Sequence, residues 1–305
     1  MAEFDWINRY FAPLARSAGA AGLTDDVAIL DGRNTVITTD ALVEGVHFLS
    51  SDSFDSVAQK LVRVNVSDFL AKGVQPAAAT LTLGWSRTRD EPDLAAFADG
   101  LNRDCLSWGI DLLGGDTVVH DGAVFASLTL LGEPLSDRAP VRRSSARPGD
   151  RLWVTGKIGG GIIGLEAARA GCDTPAARAY RTPVLAGLNA AEVVAGHASA
   201  AMDISDGLIG DIQKLVRASG CGAEVRLDQV PLFAPTDDLA AVLKQTTGGD
   251  DFQILMAASP ETEAASIAPG APFTEIGHLV PEEGVSLRWK GERVPLPAHS
   301  AFEHD

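Results

Sequence analysis

The sequence predicts an α/β (α+β) protein of two domains. Three observations carry that expectation. Strand-like and helix-like segments alternate in both halves. A Pro-, Arg- and Ser-rich break, centred on RAPVRRSSARPGD, separates them between Pro134 and Asp150. The length of 305 residues also suits two cores better than one. The boundary falls at the junction of residues 1–140 and 141–305.

In chain order, residues 35–48 (TVITTDALVEGVHF) hold β-branched residues around an acidic break and read as strand, turn and second strand. From Ser56 to Lys72 the pattern is helical, with Leu61, Val62, Val66, Phe69 and Leu70 on the apolar side. Residues 77–84 form a strand. Glu91-Pro92 opens a helix that Gly109 closes after Trp108. Strands follow at Ile110–Leu113 and Ala123–Leu131. In the second half, a strand at Arg151–Thr155 leads through the turn Gly159–Gly161 into a helix ending at Arg169. Ala200–Ile204, Ala223–Leu227 and Phe252–Ala257 read as strands, and Gly207–Ser219 and Asp237–Gln245 as helices.

Charge narrows the function. Lys and Arg number 25 against 41 Asp and Glu, a formal net charge of −16. That balance argues against a broad nucleic-acid surface, which needs concentrated cations. A small anionic substrate stays compatible, because divalent metals supply positive charge locally. Cys105, Cys172 and Cys221 make neither a disulfide framework nor a CxxC pair. Glu3, Asp5 and Arg9 interrupt the start, so it lacks a signal-like apolar core. No uncharged run approaches the roughly 18 residues of a membrane span. A soluble, cytoplasmic protein is expected, with no nucleic-acid or membrane partner.

Several carboxylates sit at strand ends beside Gly or a hydroxyl: Asp25-Asp26, Thr38-Thr39-Asp40, Gly114-Gly115-Asp116, Asp203-Ile204-Ser205-Asp206, and Gly249-Asp250-Asp251. A strand ending in Asp places that carboxylate at the rim of a sheet. Hard cations such as Mg2+ take oxygen ligands, typically carboxylates, waters and phosphates. With no His or Cys cluster at metal spacing, Zn2+ is not supported. The set points to Mg2+ and phosphate chemistry.

Each residue also has a purely structural reading. Asp206 can cap the helix beginning at Gly207, and Asp25 or Asp26 can be turn residues. Asp203 and Ser205, two apart in a strand, would share a face. Asn65, Asp68 and Lys72 fall on one helical stripe, which reads either as a solvated face with an Asp68–Lys72 pair or as a carboxylate aimed at Asp40. VTGKIGGG lacks the order of a P-loop, so a Walker-type ATPase is not indicated. Gly159–Gly161 is a strand–helix turn or an anion cradle. His47 reads as packed, and the arginines of RRSSAR as solvating a linker, with Arg143 or Arg147 able to pair with phosphate.

Taken in order, DDVAIL (25–30), TTDALVEGVHF (38–48), NVSDFLAKGVQP (65–76), GGDT (114–117), RSSARPGDRLWVTG (143–156), AMDISDGL (201–208) and GGDDFQIL (248–255) resemble the thiamine-monophosphate kinase family. That family lies within the aminoimidazole-ribonucleotide-synthetase-like superfamily. The resemblance implies two domains, each a mixed β-sheet with helices on one side, the N-terminal one pairing across a homodimer. It implies ATP-dependent phosphorylation of thiamine monophosphate in the cleft between domains, with several Mg2+ ions and no covalent nucleophile on the protein. Carried over by position, Asp26, Thr38, Thr39, Asp40, Asp68, Asp116, Asp203 and Asp206 are the expected metal ligands. Gly115, Asp116, Arg143 and Ser205 would contact ATP, and His47, Asp250 and Phe302 thiamine phosphate.

The chain departs from the family pattern at Gly160, Asp250, Gln253 and Ala98. Two other readings follow. One is a superfamily relative with a different acceptor, against which the absence of a Cys near either end counts. The other is a binding protein that holds nucleotide or thiamine phosphate without turnover, against which the complete metal set counts.

Overall fold

The computed structural model describes residues 7–30, 35–262 and 273–301. In the first half, β1 (Ala28–Leu30), β2 (Thr35–Val43), β3 (Val74–Ser86), β4 (Asp111–His120) and β5 (Phe125–Pro134) form one sheet in the order β1-β2-β5-β3-β4. β3 and β4 run parallel, and the other pairs are antiparallel. A parallel pair needs a crossover, here helix α2 (Glu91–Trp108). Asp90 caps α2 through the Asp93 N–H, and Gly109 ends it at φ 68°. Helix α1 (Phe54–Lys72) crosses between β2 and β3.

The second half holds β6 (Arg151–Thr155), β7 (Ala198–Ile204), β8 (Gly222–Arg226), β9 (Gln253–Ala258), β10 (Phe273–Val280), β11 (Gly284–Trp289) and β12 (Glu292–Val294). They form a sheet in the order β12-β11-β8-β10-β6-β9-β7. Helices α3 (Gly160–Arg169), α4 (Pro175–Arg181), α5 (Leu188–His197), α6 (Leu208–Ser219) and α7 (Leu239–Thr247) complete it. The protein is thus built from two mixed sheets with helices.

Strand alternation decides what each face touches. On β9, Leu255 and Ala257 join the core under α6, whereas Ile254, Met256 and Ala258 join the core that includes α1. α1 lies against β2, β3 and β5 on one side and β7, β9 and α5 on the other. Of its residues only Asp55 and Arg63 are not buried. The solvated face considered for Asn65, Asp68 and Lys72 is therefore corrected: a second sheet covers that stripe, and Asn65 and Lys72 are fully buried.

Among the described residues no helix covers the opposite face of the N-terminal sheet, and there Thr39, Thr80 and Thr82 are exposed. The edge strand β4 is open along nearly its whole length and exposes Leu112, Leu113, Val118 and Val119. The second strand expected after residue 43 does not form. Gly45, at φ 84°, turns the chain, and only a single bridge joins Glu44 to Phe48.

Candidate functional site

Four elements bring carboxylates to one place. The turn before β1 supplies Asp25 and Asp26, β2 supplies Asp40, α1 supplies Asp68, and the end of β7 supplies Asp203. Carboxylate oxygens of Asp26, Asp68 and Asp203 all lie within 4.8 Å of one another. Thr38 Oγ1 donates to Asp68 Oδ2 at 2.5 Å and Ser67 Oγ to Asp203 Oδ2 at 3.0 Å. Asn65 Oδ1 accepts from the Asp40 N–H at 3.0 Å, pinning β2 to α1 beside the cluster. Mutual repulsion and dry surroundings mark the group. Burial, with Asp206 nearby, pushes the Asp40 carboxyl up to about 6. Burial, with Asp211 and Asp40 nearby, pushes that of Asp203 up to about 7. Asp68 is raised well above the carboxylate range by burial, then by Asp40 and Asp203.

Cations of the chain face this group. Lys72 Nζ lies 2.7 Å from Asp25 Oδ1 and 2.6 Å from Asp26 Oδ2, and donates to the Ala201 carbonyl at 2.7 Å. Burial lowers its pKa against the pull of Asp25, Asp68 and Asp203. Arg143 pairs with Asp26 Oδ1, and Arg142 reaches Asp25 at 3.6 Å. The RRSSAR arginines nearest the cluster thus do more than solvate a linker. Asp26 Oδ2 is buried and forms no aligned hydrogen bond. It does face the Lys72 ammonium, and the oxygen-only donors that Asp26, Asp68 and Asp203 gather within 4.8 Å fit a hard cation such as Mg2+.

The turn after β7 departs from the strand register expected for Ser205. β7 ends at Ile204, and the N–H groups of Ser205 and Asp206 both donate to Asp211 Oδ2 at 3.1 Å. Asp206 does not cap α6; its carboxylate pairs with Lys214. Asp211 is the residue that shapes this turn. Its signal in the sequence is an acid in the first turn of a helix.

The Gly-rich turn proves to be an anion cradle for a carboxylate of the chain itself. Gly159 N–H donates to Asp251 at 2.8 Å and Gly161 N–H at 3.1 Å. Burial nonetheless pushes the Asp251 carboxyl up to about 7, against those hydrogen bonds. A carboxyl raised in the fold binds its proton where the unfolded chain has lost it. Its contribution therefore favours the fold at low pH and is lost as pH rises through the folded value. Asp251→Asn should flatten the fall in metal-free stability between the ordinary 3.8 and about 7, measured as urea midpoints across that range.

Asp250 adjoins a cavity of about 230 Å³ lined also by Gly156, Lys157, Gly160, Val184 and Phe233. Its backbone sits at φ 68°, and its N–H donates to the Ser205 carbonyl at 2.8 Å. Lys60, 2% exposed, pairs with Asp250 at 2.7 Å, donates to the His47 carbonyl at 2.9 Å and lies 4.1 Å from the Tyr180 ring centroid. His47 Nδ1 accepts from the Val43 N–H at 3.1 Å. Lys60 and Tyr180 were not singled out from the sequence, since both sit on helices with no motif of their own.

Two expected residues stay apart from the cluster within one chain. Register pairs Asp40 with Leu128, Leu128 with Leu81 and Leu81 with Gly115, whereas Asp116 opposes Thr82, Ser127 and then Ala41. Asp116 and the Thr39 side chain thus share the helix-free face, and Asp40 and Thr38 the other. Thr39 Oγ1 lies 3.2 Å from Thr129 Oγ1 there. Phe302 lies outside the described residues.

Two sheets joined by a long buried helix, with acids converging from both halves, define a class of protein. Residues 24–133 match the family described as AIR synthase related protein, N-terminal domain, and residues 147–290 its C-terminal domain. Within that class the chain is 39% identical to thiamine-monophosphate kinase of Caulobacter vibrioides, covering 99% of this chain and 90% of the relative. It is 35% identical to the same enzyme of Salmonella typhimurium, covering 95% and 97%. The structure described as AaThiL complexed with AMPPCP and TMP superposes with a TM-score of 0.84 at 28% identity, covering 100% of this chain and 97% of that one. The chain belongs to the thiamine-monophosphate kinase family and is a kinase, a phosphotransferase. Hydrogenase maturation protein HypE in complex with ATP shares the fold alone, at 18% identity and a TM-score of 0.70. Among the described residues, no helix is long and apolar enough to cross a membrane.

Proposed function

We propose that the protein transfers the γ-phosphoryl group of ATP to the phosphate of thiamine monophosphate, giving thiamine diphosphate and ADP. The convergence of Asp26, Asp40, Asp68 and Asp203 from both halves carries this reading. An acceptor phosphate oxygen is already ionised, so no general base and no covalent nucleophile on the protein is needed. The difficulty is bringing two polyanions together, and several Mg2+ ions, held by Asp26, Asp40, Asp68, Asp203 and Asp206 with the Thr38 hydroxyl, would supply the opposing charge; the Thr39 side chain lies on the other face. The protein's own part is alignment for in-line attack. Thr38, Ser67 and Asn65 fix the carboxylates and β2. Arg143, partly exposed beside Asp26, would turn to an ATP phosphate, and Ser205 would contact the nucleotide. Asp250 and His47, with Phe302, would seat the thiamine moiety at the cavity. Lys60 would hold Asp250 in place through the remainder of the cycle.

A coupled ADP-release assay with thiamine monophosphate, thiamine, or no acceptor tests the reading. Mg2+-dependent ADP release only with the monophosphate, together with thiamine diphosphate by mass, is the expected result. Tight binding of both ligands by calorimetry without product would instead favour a binding protein.

We further infer a homodimer through the N-terminal segment 1–140, with segment 141–305 completing the cleft. The open edge of β4 and the helix-free face support this, since an exposed apolar edge strand invites pairing. Asp116, on the face of the sheet opposite Asp40, and its neighbour Gly115 would then serve the nucleotide of a second copy. Gly115 is required in the strand itself: at φ 157° a Cβ would lie 1.8 Å from the Leu81 carbonyl oxygen. Leu113→Asp, at a side chain 67% exposed, should convert the dimer to monomer in light scattering and reduce turnover with it. A dimer that survives that change would contradict the interface.

A further inference from the structure

Lys72 is a charged group of the cluster that neither the expected metal ligands nor the transfer chemistry uses. Its side chain is fully enclosed, at 0% exposure. The ammonium touches three oxygens at 2.6–2.7 Å: Asp25 Oδ1, Asp26 Oδ2 and the Ala201 carbonyl. Asp25 and the Ala201 carbonyl accept hydrogen bonds from it, and Asp26 adds an ion-pair contact. They come from the turn before β1 and from β7, so the ammonium stitches the two halves together where the acids converge.

Asp26 is the shared residue. Its Oδ1 is held by Arg143 and its Oδ2 by Lys72. The two cations differ in their freedom to leave. Arg143 is 15% exposed and can swing outward, whereas Lys72 has no exposed surface and no route to solvent short of separating α1 from β7. A divalent ion bridging Asp26, Asp68 and Asp203 can therefore displace Arg143 but not Lys72.

We propose that the Lys72 ammonium is a built-in cation of the site, standing in place of one divalent ion on the Asp25–Asp26 side. The inference rests on the metal reading given under Proposed function. It follows that the chain takes up one metal ion fewer than its carboxylates would otherwise hold, and that its acid cluster stays assembled without divalent metal.

The test counts Mn2+ bound per chain by electron paramagnetic resonance, with no turnover involved, in the unaltered protein and in Lys72→Met purified with Mg2+. The variant should bind one Mn2+ more. Its melting temperature in chelator should fall, and the rise produced by Mg2+ should roughly double relative to the unaltered protein. If Lys72→Met does not fold even in Mg2+, Lys72→Gln, which removes the charge and keeps an amide donor on a side chain one bond shorter, is counted in the same way. Equal Mn2+ counts in variant and unaltered protein would overturn the inference and leave the metal reading standing. A melting point that Mg2+ cannot restore, at an equal count, would reduce Lys72 to a structural ion pair. No Mn2+ bound by either protein would overturn the metal reading itself.

Discussion

Asp40→Asn should lower turnover by about 10³-fold or more while leaving the fold intact. The position lies within β2, on the face shared by buried Val36, Thr38 and Leu42, its N–H held by Asn65 and its carboxyl raised to about 6 by burial and by Asp206. An amide of the same shape keeps that backbone bond but removes one negative charge from a crowded, dry group. Two readouts should then move in opposite directions. Steady-state phosphoryl transfer should collapse, whereas the melting temperature measured without divalent ions should hold or rise, because repulsion toward Asp68, Asp203 and Asp206 is relieved. Near-normal turnover would contradict the role given to this carboxylate. A large fall in the metal-free melting temperature would show that Asp40 is structural.

The second large effect is expected at Gly161, which carries no reactive group. A Cβ added there would lie 2.2 Å from the Gly249 carbonyl oxygen and 2.7 Å from atoms of Asp250. These are backbone or backbone-adjacent atoms, so no side-chain rotation gives relief. In Gly161→Ala the start of α3 must retreat from the segment bearing Asp250 and Asp251. Asp251 then loses one N–H donor, and Asp250 shifts against Lys60. A loss of about 3 kcal/mol in unfolding free energy is expected, with KM for the acceptor raised more than KM for ATP. Urea denaturation and steady-state kinetics read the two effects. A variant as stable as the parent would mean that this contact is looser than described.

The contrast between α2 and α1 shows what the sequence could convey. α2 is legible to its ends because its signals are local: Glu91-Pro92 at the start and Gly109 just past the end, to which the structure adds Asp90 as cap. α1 is legible as a helix but not in its surroundings. Periodicity reports which residues are apolar, and a polar stripe pressed against a second sheet reads like one pressed against water. Only the approach of β7 and β9 tells them apart. The sequence reading ends β4 at Leu113; in the structure the strand runs on to His120, with Gly115 close against β3. The carboxylates are legible as candidates because acids beside Gly or a hydroxyl stand out in apolar runs, although Asp40 and Asp116 lie inside β2 and β4 and not at strand ends as expected. Their cationic partners are not legible. Lys72 and Arg142 acquire meaning only from contacts made across long stretches of sequence, such as those of Lys72 with Ala201 and of Arg142 with Asp25.

The burial of α1 between two sheets also bears on how the chain is made. The helix emerges early in synthesis, yet half of its covering, β7 and β9, is not available until residue 258 has been added. In that interval Val64, Val66, Phe69 and their neighbours have only one wall to lean on. The nascent first half presents a sticky surface that a chaperone or a second nascent chain can occupy. Once β9 arrives, the helix is sealed from both sides, and the two halves gain stability together. They should therefore melt as one cooperative unit, and a fragment ending near residue 140 should be insoluble unless the missing half is supplied in trans.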